Sequence, residues 1–453
     1  MGILDTYLDQ LEVLAVSQGL SFDPVDFQVV PPAFMMEVAV YGLPVRMPHW
    51  SFGLRYIYQF VQHRMGNSRI FEVVFPGNPG RAYLANTNTL AENTLVVAHV
   101  LGHADFSKNN SLFAHMQKQV GTRLVEMAAS HAHFIEEAIQ EHGQKRVEEV
   151  LDCALALEQH IDVDQAVARP RYPQTRTLEP VEAGDDPFLS RFLDLPGEKA
   201  PRAGKVVKKL LLPPHPEHDL LWFIAQYAPD MEDWERDIFL AVRQESFYFY
   251  PVFACQIMNE GWASFWHARL LREADFLPQP LYVDAIKSHS DVVRPYAGEK
   301  QLALAVNPYH LGFVMWEKIV NERGLEAAFG IRAEEDDFGF IRNYLDEDLA
   351  DKLDLFVYAA RRNGEVRVVG HDVDAVREAI IAPKYNFGAP RMMVTEMRRD
   401  GALVLFHDWR TDGRGLDLEH AKRVLEYIGS VWRRPVKLVT ANHRGEEETL
   451  SIA

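Results

Sequence analysis

Residues 355–370 read LFVYAARRNGEVRVVG, and residues 392–409 read MMVTEMRRDGALVLFHDW. In both, apolar and polar positions alternate on either side of an Asn-Gly or Asp-Gly pair, the pattern of two strands joined by a type I′ turn. Before Leu355 the period is different. Apolar residues recur at three and four positions over about 89–105, 121–141 and 145–160, and again from about 219 to 323, so these stretches predict helices. Between them, Ile70–Phe75, the turn-rich PGNPGRA and Tyr83–Ala85 predict one small hairpin. Helices near 372–381 and 417–431 follow the two late hairpins, and VKLVTAN and ETLSIA supply two last strands. The fold class is therefore α+β: a mostly helical N-terminal body with a small hairpin, followed by a small ββα-type C-terminal domain.

Between residues 170 and 216, 47 residues hold nine of the 25 prolines. Proline removes a helix donor and biases its predecessor toward extended backbone, so helical patterning stops here. The chain is expected to divide into a helical N-terminal part with the hairpin at 1–165, a Pro-rich linker or wrapping arm at 166–217, a second helical part of the same body at 218–345, and the α+β domain at 346–453. A length of 453 residues has room for such a division, at about 100–200 residues per domain.

Composition excludes some functions. Hydrophobic residues at 47% and charged residues at 25% suit a globular chain. The net charge of −18 repels phosphate backbones and anionic lipid surfaces, so no nucleic-acid partner is expected. No apolar stretch approaches the ~20 residues that span a bilayer, so membrane insertion is not expected either. Met1-Gly2 followed by Thr6 fits a loose myristoylation pattern, but helix packing already accounts for Leu4, Leu8 and Leu11. Two cysteines, Cys153 and Cys255, cannot build a disulfide framework or a thiolate zinc site, and they suit a reducing cytoplasm. The chain has neither a Gly-rich phosphate loop nor a Gly-x-Ser-x-Gly elbow, which removes the usual support for nucleotide hydrolysis and serine-esterase chemistry.

Two features could carry chemistry. His99 and His103 are four apart in a predicted helix, so both imidazoles leave one face about one turn apart, as two ligands of one metal ion require. Zinc proteases place a glutamate directly after the first histidine as general base, and here that position is Val100. In the second feature, Asn259-Glu260-Gly261-Trp262-Ala263-Ser264-Phe265-Trp266-His267, Glu260 and His267 are seven apart and share a helix face. The Asn-Glu-Gly-aromatic-Ala run resembles the segment giving the third ligand of gluzincin aminopeptidases, although 157 residues between His103 and Glu260 far exceed their spacing. His99, His103 and Glu260 are thus candidate ligands for zinc or another divalent transition metal, with His267 as acid or base. The alternative is a buried hydrogen-bond network among the same side chains. His131 and His133, two apart, point to nearly opposite sides of a helix and are expected at the surface. His289 in Lys-Ser-His-Ser-Asp reads as a helix-end residue, and His49 similarly.

The stretches PHWSFG (48–53), AHVLGHADFSKNN (98–110), MNEGWASFWH (258–267), KSHSDVV (287–293) and NPYHLGF (307–313) together resemble the stage V sporulation protein R (SpoVR) family, in its order and over nearly the whole chain. The resemblance implies a cytoplasmic bacterial protein linked to spore cortex formation, or to a wider stress or envelope role in bacteria that do not sporulate. It also implies partnership with a serine kinase of the AAA+ type and a protein with a von Willebrand A-like domain, and hence a regulatory role. It gives no settled reaction, so the alternative is a metal-dependent hydrolase acting on a peptide or amide.

Overall fold

The computed structural model describes residues 2–42, 46–64, 70–121, 123–163, 212–292, 307–355, 357–360, 366–370 and 372–453. Most of the expected Pro-rich arm and the Asn363-Gly364 turn lie outside the described residues. In chain order the elements are α1 (Gly2–Ser17), β1 (Val25–Val30), α2 (Pro32–Tyr41), α3 (Trp50–Arg64), β2 (Glu72–Phe75), β3 (Gly80–Ala85), α4 (Leu90–Asn109), α5 (Ser111–Val120), α6 (Leu124–His142) and α7 (Gln144–Ala156). Then follow α8 (Leu220–Tyr227), α9 (Asp233–Ala254), α10 (Gln256–Glu273), α11 (Gln279–Val292), α12 (Pro308–Glu334), α13 (Asp337–Tyr344) and α14 (Glu347–Lys352). The late region holds β4 (Val357–Ala360), β5 (Val366–Gly370), α15 (Val373–Ile381), a 3₁₀ segment (Ala382–Gly388), β6 (Met392–Met397), β7 (Leu403–His407), α16 (Trp409–Asp412), α17 (Leu418–Trp432), β8 (Val436–Ala441) and β9 (Glu447–Ile452). This is an α+β protein with a mostly helical body. Among the described residues, no helix is long and apolar enough to cross a membrane.

Contacts divide the chain into two compact units, Met1–Leu151 with Ala241–Ala389, and Asp152–Leu240 with Pro390–Ala453. The change of period at Leu355 marks the first late strand, while the partition itself falls between Ala389 and Pro390. α15 belongs to the first unit, where Val376 and Ile381 join the core.

In the first unit α4, α10 and α12 pack together, with Trp262, Trp266 and Trp316 wholly buried. α4 is buried on nearly every side, its polar residues Asn93, Thr94, His99, His103 and Asp105 included. A capping box starts it: Glu92 donates its N–H to Thr89 Oγ1 at 3.2 Å, and Thr89 donates its own to the Glu92 carboxylate at 2.6 Å. α10 starts on the carboxylate of Asp337, which accepts the N–H groups of Ile257 and Met258 at 2.9 Å each. The predicted hairpin is present as β2 antiparallel to β3. β1 joins them, parallel to β3, with Val25 opposite Gly80 and Val30 opposite Ala85. A six-residue strand before a proline pair carries no turn signal, and a parallel partner reached by a long crossover leaves no local mark.

In the second unit the sheet order is β6-β7-β8-β9, with β7 and β8 parallel on either side of α17. The turn between β6 and β7 differs from expectation. Only Gly401 has a positive φ there, at 86°, and Arg398 pairs with Ala402, so a three-residue loop closes the hairpin instead of a two-residue type I′ turn. Buried His407 links the elements, meeting Thr440 Oγ1 at 2.9 Å and Asp412 Oδ2 at 3.0 Å.

Candidate metal centre

α4 presents His99 and His103 toward α10, and the two helices meet so closely that side chains would not fit between them. A Cβ on Gly102 would stand 2.7 Å from Ala263 Cα, and one on Gly261 would stand 2.3 Å from the carbonyl carbon of Gly312 in α12. Glycine at these positions lets the backbones approach. Across this contact the Nε2 atoms of His99 and His103 lie 3.0 Å apart. Glu260 Oε2 lies 3.6 Å from the first and 3.4 Å from the second. Four ligands held tetrahedrally at about 2.0–2.1 Å from one ion stand about 3.3 Å from one another, and the three edges bracket that value. Glu260 Oε2 is buried and makes no hydrogen bond, although the imidazoles are near enough to act on it through charge. A desolvated carboxylate oxygen of this kind calls for a cation or a donor.

Neighbouring groups orient the rings. His103 Nδ1 is 2.9 Å from Asn259 Oδ1, so with that oxygen accepting, Nδ1 carries the proton and Nε2 offers its lone pair. His99 Nδ1 is 3.0 Å from His267 Nδ1, and His267 Nε2 is 2.5 Å from His289 Nδ1. If His99 donates to His267 and His267 to His289, the row of three imidazoles is satisfied and His99 Nε2 is also left with its lone pair. The ring of Tyr309 stacks 6.1 Å from that of His99, and its phenol is close enough to Glu260 to feel its charge.

The charges follow from this packing. Burial, and then the charge of His103, lower the pKa of His99 to about 4. Burial also opposes a charge on His103, but Glu260 and Asn259 outweigh it and the pKa is raised. Burial likewise works against the Glu260 carboxylate, which His103 and His99 nevertheless hold well below the usual range. A proton on His103 is thus favoured by Glu260 while one on His99 is disfavoured, and a divalent cation entering the cluster would compete with a proton on His103. Burial, followed by repulsion from Glu260, raises Glu72 to about 7. Tyr309 is raised by the charge of Glu260 first and by burial second, so it keeps its proton. His267 is lowered well below its usual value by burial and by His99, and His289 by burial and Arg272. The side chains of Glu72 and Glu260 are 20% and 22% exposed, against 3% and 10% for His99 and His103.

The structure brings together all four residues singled out in the sequence. His99, His103 and Glu260 close on one another, while His267 meets the far nitrogen of His99, away from the Nε2 triangle. Sequence reasoning missed Glu72, Asn259 and Tyr309. Asn259 and Tyr309 lie inside stretches quoted above for the family resemblance, but Glu72 stands alone on a short strand with no spacing to mark it. His289 is not merely a helix-end residue, since it completes the imidazole row. His131 also differs from expectation: its Nδ1 is 3.1 Å from the buried carboxylate of Glu245, which Arg46 holds at 2.8 Å, whereas His133 is exposed. His49 meets the Ser51 hydroxyl at 2.7 Å at the start of α3.

Paired histidines and a glutamate on packed helices define a candidate metal-centre protein. A family model described as SpoVR like protein matches residues 1–388, and the chain belongs to that family. A curated relative from Escherichia coli (strain K12), named Uncharacterized protein YcgB, is 31% identical over 329 residues, covering 70% of this chain and 63% of that protein. The match thus spans less than two thirds of the relative's length. No solved structure matches.

Proposed function

We propose that this protein holds a divalent transition metal, zinc foremost, on His99, His103 and Glu260 and uses it to hydrolyse a peptide or amide bond. The observation that carries the reading is the triangle of ligand atoms with edges of 3.0, 3.4 and 3.6 Å around an unbonded carboxylate oxygen. When bound, such an ion activates water and polarises a carbonyl at the position its three protein ligands leave open. The chain's own groups prepare that position. Asn259 and His267 orient the two histidines through their Nδ1 atoms, and Tyr309 stacks against His99. In this reading His267 acts on the chemistry through His99. Release of amine from cell-wall peptides and simple amides is the test. The reading expects hydrolysis that a chelator stops, zinc restores and Glu260→Ala abolishes. No hydrolysis by protein loaded with zinc, manganese or iron would overturn it.

A second reading is a regulatory protein working with partners, and one surface favours it. α3 exposes Trp50, Leu54, Ile57 and Tyr58, each more than half accessible, along one side. The partners implied by the family are the AAA+ type serine kinase and the von Willebrand A-like protein, in spore cortex formation or a related stress or envelope process. A cytoplasmic setting suits Cys153 and Cys255, both free and buried. Affinity capture of the kinase by the wild type, lost with Leu54→Asp and Ile57→Asp, supports this reading; capture that survives both changes removes α3 from it.

A further inference from the structure

The metal reading leaves one role unfilled. In zinc proteases the carboxylate that serves the open position follows the first histidine on the same helix; here that residue is Val100, wholly buried in the core. β2 brings a different carboxylate to the centre. Glu72 Oε1 lies 4.0 Å from His99 Nε2. Glu72 is nevertheless not one of the groups whose ligand atoms all lie within 4.8 Å of one another. It stands outside the ligand triangle, its side chain one-fifth exposed. An atom bound at the open position would neighbour His99 Nε2, the same nitrogen that Glu72 Oε1 approaches to 4.0 Å. The strand that carries it is fixed: Ala85 N–H and Asn88 Nδ2 both donate to the Phe71 carbonyl, at 3.1 and 2.9 Å, just before Glu72.

Resting on that reading, we propose that Glu72 is the hydrogen-bond acceptor for the open coordination position, so that the site selects neutral O–H or N–H ligands, water and amides among them, over anions. Two carboxylates already face a single divalent charge here, in a chain of net charge −18, and a third anion meets their repulsion.

The test uses full-length protein loaded with cobalt(II), whose visible spectrum reports its ligands, titrated with two probes. Acetohydroxamic acid, neutral at pH 7, carries an O–H beside its metal-binding carbonyl oxygen; azide is an anion with no donor. With Glu72→Gln, cobalt affinity is expected to stay within about threefold of wild type, because no ligand is lost. Acetohydroxamic acid should weaken about tenfold or more, the loss of one charge-assisted hydrogen bond, while azide binds as before or more tightly. If Glu72→Gln does not fold, Glu72→Asp, which draws the carboxylate back by one methylene, must show the same loss for acetohydroxamic acid alone. Equal effects on both probes, no effect on either, or loss of cobalt itself would overturn the role given to Glu72 and leave the metal centre standing. A wild type that takes up no cobalt would instead overturn the centre, and this inference with it.

Discussion

Gly261→Ala tests whether close helix contact builds the centre. The added Cβ would stand 2.3 Å from the carbonyl carbon of Gly312, 2.4 Å from its Cα and 2.8 Å from its oxygen. Ordinary contact begins near 3.4 Å, so α10 and α12 must part by about 1 Å, and backbone atoms cannot swing aside as a side-chain end would. Overpacking of this kind costs about 1–3 kcal/mol, and backbone against backbone belongs at the upper end. The alanine regains about 1 kcal/mol of helix propensity, which leaves a net loss of about 2 kcal/mol. Glu260 is the next residue, and the same shift carries its Oε2 away from the histidines, so metal affinity should fall by about 10–100-fold. Guanidinium denaturation and metal titration read the two effects. Gly330→Ala is the control: nothing lies within 4 Å of its added Cβ, and it should stabilise by about 0.4–1 kcal/mol. A Gly261→Ala protein as stable as wild type, binding metal equally well, would refute the reasoning.

Asp105→Ala should destabilise by about 3–5 kcal/mol in denaturant titration, because Asp105 accepts from Arg332 at 2.7 Å, Trp262 at 2.9 Å and Ser21 at 2.8 Å, and its loss strands a buried guanidinium. A loss below about 1 kcal/mol would mean that Arg332 finds water instead. Burial pushes the thiols of Cys153 and Cys255 far above their usual range, so an aromatic disulfide reagent at pH 8 should label neither in the native protein and both after unfolding. Rapid native labelling would contradict the packing around them. Thr89→Ala should cost about 1 kcal/mol by removing the cap of α4, and a null effect would show that the box contributes nothing to the helix that carries both histidines.

The helical body and the hairpins were legible because their periods, 3.6 and 2, are local properties of the chain. The metal-ligand candidates were legible for a related reason: i, i+4 histidines and a glutamate and histidine seven apart declare a shared face wherever the helix packs. Glu72 was not, since a single glutamate on a four-residue strand has no partner within its own element. β1 escaped in the same way, its pairing with β3 being parallel and remote. The Asp400-Gly401 pair signalled a turn correctly but not its length, because the dipeptide supplies a left-handed position without fixing how many residues surround it. Gly102, Gly261 and Gly312 sit in the quoted stretches as ordinary letters, and only the crossing of three helices shows what they permit.

Metal content of full-length protein, purified without a tag and without chelator, tests the central claim most directly. The account expects about one equivalent of a divalent transition metal in the wild type and in His131→Ala, and its loss in His103→Ala and Glu260→Ala, with melting temperatures converging once every sample is treated with chelator. Wild-type protein that carries no metal and takes none up when offered zinc, manganese or iron would contradict it, and the four residues would then stand as a buried hydrogen-bond network.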